Sequence, residues 1–278
     1  MVAPQQWRVS WSAAYGTFST SHVAECPDVA PECAQTTIEP HLHRARLALT
    51  HYDLGVMYGL REGWQLNATL PYDVKAMHIR YTTLAGEPFM PPYGDIHHRT
   101  ETLRGIGDAS VALEHRIGEF VAGAGLTLPL GRTEPDPIVL GREGKRHEHL
   151  QFGSGTFQPR LALQYAHGAL FARVEARLSV VENDEGFRAP STFVWSLGPN
   201  VRALSLRFEG QHQTIGRWSG EIDEGSGFTN GGIRAAYAFR LGAFGVQPGV
   251  YRELFSRSHG DETFAQGTTW SLAVSRRF

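Results

Sequence analysis

Along most of this chain apolar side chains recur at every second position, with small or polar ones between them. A period of two marks extended strands whose faces meet different surroundings. The clearest case sets Trp64, Leu66, Ala68, Leu70, Tyr72 and Val74 against Gln65, Asn67, Thr69, Pro71 and Asp73. The same rule predicts a first strand on Trp7, Val9, Trp11, Ala13 and Tyr15, and a second running to Tyr58. After a long polar connection from Lys75 to Arg104, Ala109–Leu113 and Ala122–Leu128 form a hairpin around Gly118-Glu119. Six further strands are expected around Phe157–Tyr165, Leu170–Val180, Phe193–Val201, Leu206–Phe208, Ile233–Phe239 and Phe244–Val250. The last is the end of the chain, where Thr268, Trp270, Leu272, Val274, Arg276 and Phe278 share one face. Arg276 is the one misfit on it.

The connections alternate in length. Those near residues 60, 118, 167, 203 and 241 are tight, and those near 30, 90, 142, 186, 222 and 259 are longer. Short turns at one rim and long loops at the other belong to an up-and-down membrane barrel. Aromatics bracket several strands, as an interfacial girdle would. A final strand of this pattern ending in Phe also resembles the closing strand of bacterial outer-membrane barrels. The expected fold is all-β: one antiparallel up-and-down transmembrane β-barrel of twelve strands covering residues 1–278, in the outer membrane of a Gram-negative-type cell.

Composition sharpens this. No run approaches the ~18 apolar residues of a spanning helix, and mean hydropathy is -0.27. Neither counts against a barrel, since alternation halves the hydropathy of each spanning segment. The 31 glycines suit tight turns and a crowded interior. A net charge of -2 without a clustered basic stripe gives no pull toward nucleic acid. Cys26 and Cys33, in a Pro-rich loop, are expected to form a disulfide in an oxidising compartment. MVAPQQW has neither the basic start nor the apolar run of a signal peptide, so Met1 is expected to stand at the start of a mature chain.

If the apolar set faces lipid, the other set lines the lumen. The lining is then Arg8, Asp73, Asp108, Glu114, Arg116, Arg160, Arg173, Glu175, Arg177, Arg202, Arg207, Glu209 and Arg234. Two readings follow: a self-satisfied charge lattice that stiffens the wall, or a narrow polar pore. Histidine is the second signal. His41 and His43, His97 and His98, and His147 and His149 fall in three loops on the same rim. H-x-H on an extended segment puts both imidazoles on one face, which suits zinc, copper or nickel; the other reading is solvated loop histidines. An enzyme is not expected. Gly210, His212 and Thr214 (H-Q-T-I-G) fall short of the H-x-S-N-G pattern of outer-membrane lipases, with Ile215 at the Asn position.

Gly105-Ile106-Gly107-Asp108, then Leu126-Thr127-Leu128-Pro129-Leu130-Gly131, then Gly153-Ser154-Gly155 form an ordered series. It resembles the outer-membrane transporter-like family named for the meta-pathway of phenol degradation, specifically over Gly105 to Tyr165. The resemblance implies a barrel and passage of small, often hydrophobic or aromatic compounds. The partners expected are outer-membrane lipid and a small-molecule solute. The alternative is a barrel whose His-rich loops bind a transition metal or a partner protein rather than conducting. No cofactor is expected beyond such a metal, and the sequence does not fix the oligomeric state.

Overall fold

The structure is a computed structural model and describes residues 1–24, 40–91, 99–259 and 265–278. The first three strands are the longest: β1 (Trp7–Ala24), β2 (His41–Arg61) and β3 (Trp64–Thr83). Shorter ones follow: β4 (Glu101–Ile106), β5 (Ala109–Ile117), β6 (Phe120–Leu128), β7 (Gln158–His167) and β8 (Leu170–Arg177). After a two-residue β9 (Phe187–Arg188) come β10 (Thr192–Val201) and β11 (Leu204–Gln213). β12 (Gly216–Trp218) and β13 (Glu221–Asp223) precede β14 (Phe228–Tyr237) and β15 (Phe239–Leu241). β16 (Phe244–Ser258), β17 (Ala265–Gln266) and β18 (Thr268–Arg277) finish the chain.

Each wall strand pairs antiparallel with the next, and β18 returns to β1, with Trp11 opposite Val274. Because β4/β5, β14/β15 and β17/β18 each continue one another, the ring has twelve staves and no open edge. Closure leaves no strand edge with a row of unpaired backbone groups, which a lipid environment demands.

The register fixes which side each residue takes. Trp7, Val9 and Trp11 are exposed on the outside, as are Leu66 (39%) and Trp270 (62%). Trp7 packs on Tyr58, with ring centroids 4.4 Å apart, and Phe120 on Tyr165 at 5.0 Å, forming an aromatic belt at the rim with short turns. Arg276 is accommodated there because its guanidinium lies over two rings, 4.7 Å from Phe278 and 5.7 Å from Phe244. The aromatic faces carry the charge to the interface, where a snorkelling arginine stays wet.

The strands reach further than the alternation suggested. The connection expected from Lys75 to Arg104 is instead strand at both ends, with β3 running to Thr83 and β4 starting at Glu101. Polar outward residues there do not break the sheet, because those rungs lie beyond the apolar belt. The Gly131–Gly153 connection contains a short helix, α1 (Pro137–Arg142), capped by Asp136, whose carboxylate accepts from Ile138 N at 2.8 Å. β9, β12 and β13 form a separate three-stranded sheet on the same rim. Its core is Phe187 stacked on Trp218 at 4.5 Å, and Ser219 Oγ donates to Asp136 to tie it to α1. Cys26, Cys33, His97 and His98 lie outside the described residues.

Candidate functional site

Arg8, Asp73, Glu114, Arg116, Arg160, Arg173, Glu175, Arg177, Arg207, Glu209 and Arg234 all sit at inward register positions. Two departures from the expected lining are plain. Arg202 is not on a strand face: it occupies the exposed β10–β11 turn with φ 56°. Asp108 lies in the break between β4 and β5, and it acts as a clamp. Its carboxylate accepts from Gly131 N at 2.9 Å and from both Ser154 N and Ser154 Oγ at 2.7 Å.

That clamp joins the three glycine motifs into one junction. Gly131 and Gly153 lie backbone to backbone: a Cβ on Gly131 would meet Phe152 O at 2.6 Å and Gly153 Cα at 2.7 Å. A Cβ on Gly105 would touch the Phe152 ring at 3.0 Å. Phe152 is buried (7% exposed) and carries Lys75 Nζ 4.5 Å from its ring centroid, with the Arg132 guanidinium at 5.6 Å. Lys75 also donates to Gln151 O at 2.6 Å. Since Lys75 and Gly105 point inward, the Leu150–Phe152 segment is folded into the lumen.

Just beyond this wedge lies a cavity of about 550 Å³. One wall is apolar: Phe18 from β1, Ala45, Leu47 and Leu49 from β2, Met77 from β3, and Leu150 from the inward loop. The facing wall is mixed: Gln211, Asn230, Glu253, Gln266, Thr269 and the Glu209–Arg234 pair stand among Val194, Phe228 and Tyr251. An amphipathic chamber thus sits toward the long-loop rim.

Toward the short-turn rim the lumen is lined by a charge ladder. Gln65 Nε2 donates to Glu114 Oε2 at 2.6 Å, and Arg173 bridges Glu114 at 4.0 Å and Glu175 at 3.0 Å. Arg160 pairs with the other oxygen of Glu175. On the far wall, where they also line the chamber, Arg234 pairs with Glu209 at 2.6 Å and donates to Ser271 Oγ at 3.1 Å. His51 is held between Asp73 at 2.7 Å and Asp53 at 3.2 Å. Val2 is buried in this mouth, its amide donating to Gln65 Oε1 at 2.8 Å. Much of the lining is therefore a lattice, but Arg8, Arg116 and Arg177 have no carboxylate within 4.0 Å among the described residues.

The described loop histidines form two pairs. His41 and His43 are both buried on β2, with their Nε2 atoms 3.1 Å apart. His147 and His149 form a separate pair beside Glu148, with ring centroids 5.1 Å apart. Burial is the leading influence holding the Glu148 carboxyl above its ordinary range, against hydrogen bonding from Leu150 N and the Arg99 charge. Among the described residues no group of three or more His, Cys, Asp or Glu side chains is poised to hold a metal. The lipase-like stretch is rearranged too: Thr214 Oγ1 accepts from Ser191 N, and His212 Nδ1 meets Thr229 Oγ1 at 2.8 Å.

Comparison with solved structures adds one deciding match. Over 100% of this chain and 97% of the other, it superposes with TM-score 0.59 and 14% identity on the crystal structure of an outer-membrane channel from Pseudomonas putida F1. The fold is that of an outer-membrane barrel. Two looser likenesses are the P. putida toluene transporter TodX (10% identity, 100% and 91% coverage, TM-score 0.46) and a Pseudomonas aeruginosa FadL homologue (6%, 98% and 90%, 0.46). No protein-family model matches the chain, so the resemblance to the phenol-pathway family stands on its motifs alone, and no curated protein sequence matches either.

Sequence reasoning did not single out Phe18, Leu47, Leu49, Met77, Lys75 or Phe152. The signal was present: Ala45, Leu47 and Leu49 share the inward parity of His51 and Asp53, so they mark an apolar stretch on the wet face.

Proposed function

We propose that this barrel is an outer-membrane channel for passive passage of small solutes that combine an apolar, often aromatic, body with a polar group. The observation that carries the reading is the apolar wall of Phe18, Leu47, Leu49 and Met77 facing a side that carries Gln211, Asn230, Glu253 and Thr269 inside the lumen. These four side chains are half-buried, so each forgoes only part of the roughly 1.5–3 kcal/mol of full burial. A solute that covers them recovers part of that. The inward wedge at Phe152 and the charge ladder below it then admit only narrow solutes in single file. Likeness in fold to an outer-membrane channel supports the reading without naming the solute.

The test is liposome swelling with two solutes of equal polar head, phenyl glucoside and methyl glucoside. The expected result is faster entry of the phenyl compound relative to its size, lost in L47S/L49S/M77S. No swelling with either sugar, and no single-channel current in a planar bilayer, would overturn the channel reading.

A second reading rests on the His41–His43 pair. Two imidazole nitrogens 3.1 Å apart are at the separation that two ligands of one tetrahedral metal adopt. In that reading the rim captures zinc, copper or nickel. Unchanged zinc retention after H41A/H43A removes it.

A further inference from the structure

Outside the lumen, the wall at the upper edge of the apolar belt carries a cluster of four arginines and a histidine that the channel reading does not use. On β2 and β3 the register sets Arg44 directly opposite Arg80 and Arg46 directly opposite His78. Arg104 lies one strand over on β4, opposite Val74 of β3. All five side chains are exposed, and their parity with Tyr52 and Tyr72 puts them on the outer face. Like charges directly opposite one another on a sheet face repel. A protein that needed only solubility here would intersperse acids.

It does so nearby. On the same rim Arg99, Arg132, Arg142 and Arg146 each pair with a glutamate, at 2.6, 2.7, 3.0 and 3.1 Å. Arg44, Arg46, Arg80 and Arg104 make no ion pair among the described residues. Their outward neighbours at this end are Ser19 and Ser21 on β1 and Thr102 on β4, which bring hydroxyls and no carboxylate.

Height along the wall says what meets them. A tilted strand crosses the hydrocarbon layer in roughly ten residues. Counted up β2 from the belt residue Tyr58, that ends near Ala48; counted up β3 from Leu66, it ends near Ala76. The next outward positions are Arg46 and His78, then Arg44 and Arg80. Arg44, Arg46, His78 and Arg80 therefore stand at headgroup level on the long-loop rim, which faces the cell exterior, and Arg104, opposite Val74, lies just below it, within the length a snorkelling arginine side chain spans.

We propose that the outer face of β2–β4 is a binding site for the phosphate groups of a phosphorylated glycolipid of the outer leaflet. Arg44 and Arg80 form a facing pair of guanidiniums that grips one phosphate through paired N–H donors. Arg46, His78 and Arg104 extend the site along the membrane surface toward a second phosphate, and the Ser and Thr hydroxyls suit the sugar between them.

The experiment measures lipid bound to the purified full-length barrel by native mass spectrometry, and its affinity in nanodiscs doped with lipopolysaccharide, with phosphatidylglycerol, or with neither. Wild type is expected to retain lipopolysaccharide, and R44Q/R46Q/R80Q to bind it at least tenfold more weakly. R44K/R46K/R80K keeps the charge but not the paired geometry, and is expected to fall between them. Heat-modifiability on gels establishes that each variant is a folded barrel. Equal affinity in wild type and the Gln variant overturns the site. Equal affinity for phosphatidylglycerol overturns the glycolipid assignment, and so does displacement of the lipid by millimolar inorganic phosphate, which would mark a free-anion site.

Discussion

Replacing Phe152 with Ala tests whether the inward loop sets the bore. Phe152 is 7% exposed, wedged against Gly105 and under the Lys75 and Arg132 cations. Truncating a buried Phe costs about 3–5 kcal/mol, and each cation–π contact about 0.5–1 kcal/mol. Part of that is recovered when Lys75 and Arg132 hydrate, so about 3 kcal/mol is a fair net for loosening the segment. At 1.4 kcal/mol per decade, the displaced state gains about a hundredfold in population. The barrel itself should be untouched, because the wall ladders do not pass through Phe152. Planar-bilayer recording of F152A should show larger or noisier unitary current than wild type, with unchanged heat-modifiability. Unitary conductance equal to wild type would refute the claim that Leu150–Phe152 is the constriction.

Asp108→Asn should give a milder version of the same phenotype, since it weakens three charge-assisted hydrogen bonds worth about 1.5–3 kcal/mol each when intact; noise analysis of single-channel traces checks it. Leu54→Arg puts a charge on the lipid face and should destabilise the barrel by about 2–4 kcal/mol, read as a lower urea midpoint in refolding. Gly131→Ala has no room for its methyl, and should release the loop to limited proteolysis near residues 133–150 while the wall remains protected. Glu148 has its carboxyl raised by burial, so its protonated form favours the folded rim: that stability is full below the ordinary carboxylate range and is lost as pH rises through the raised value. Exchange protection factors of Leu150 and Phe152 should therefore fall as pH climbs out of the acid range, and E148Q should flatten the profile.

The wall was legible from sequence because lipid on one side and water on the other impose a period of two on every stave. Trp64–Val74 needed nothing else. What lay beyond the membrane was hidden for the same reason: once both faces are wet, as at Arg44, Arg80 and Glu101, alternation stops reporting strand and the segment reads as loop. The inward apolar patch escaped notice because Leu47 and Leu49 look like ordinary sheet residues until the parity of His51 is carried through them. The glycine motifs announced themselves, but their meaning depended on Phe152, a single aromatic whose position between Gly105 and Lys75 no spacing rule supplies. Arg276 looked like a flaw and is at home, since both rings that hold it come from strand ends at the same rim.

The back-to-back contact of Gly131 and Gly153 has a broader consequence. It pinches the chain at both ends of a stretch that holds α1 and the ion pairs of the outer surface, much as a drawstring closes a bag. The outer part of that stretch, residues 135–147, can lengthen, shrink or change its charge without shifting the aromatic wedge beneath. The surface of the long-loop rim can be rewritten while the wedge inside the barrel stays fixed.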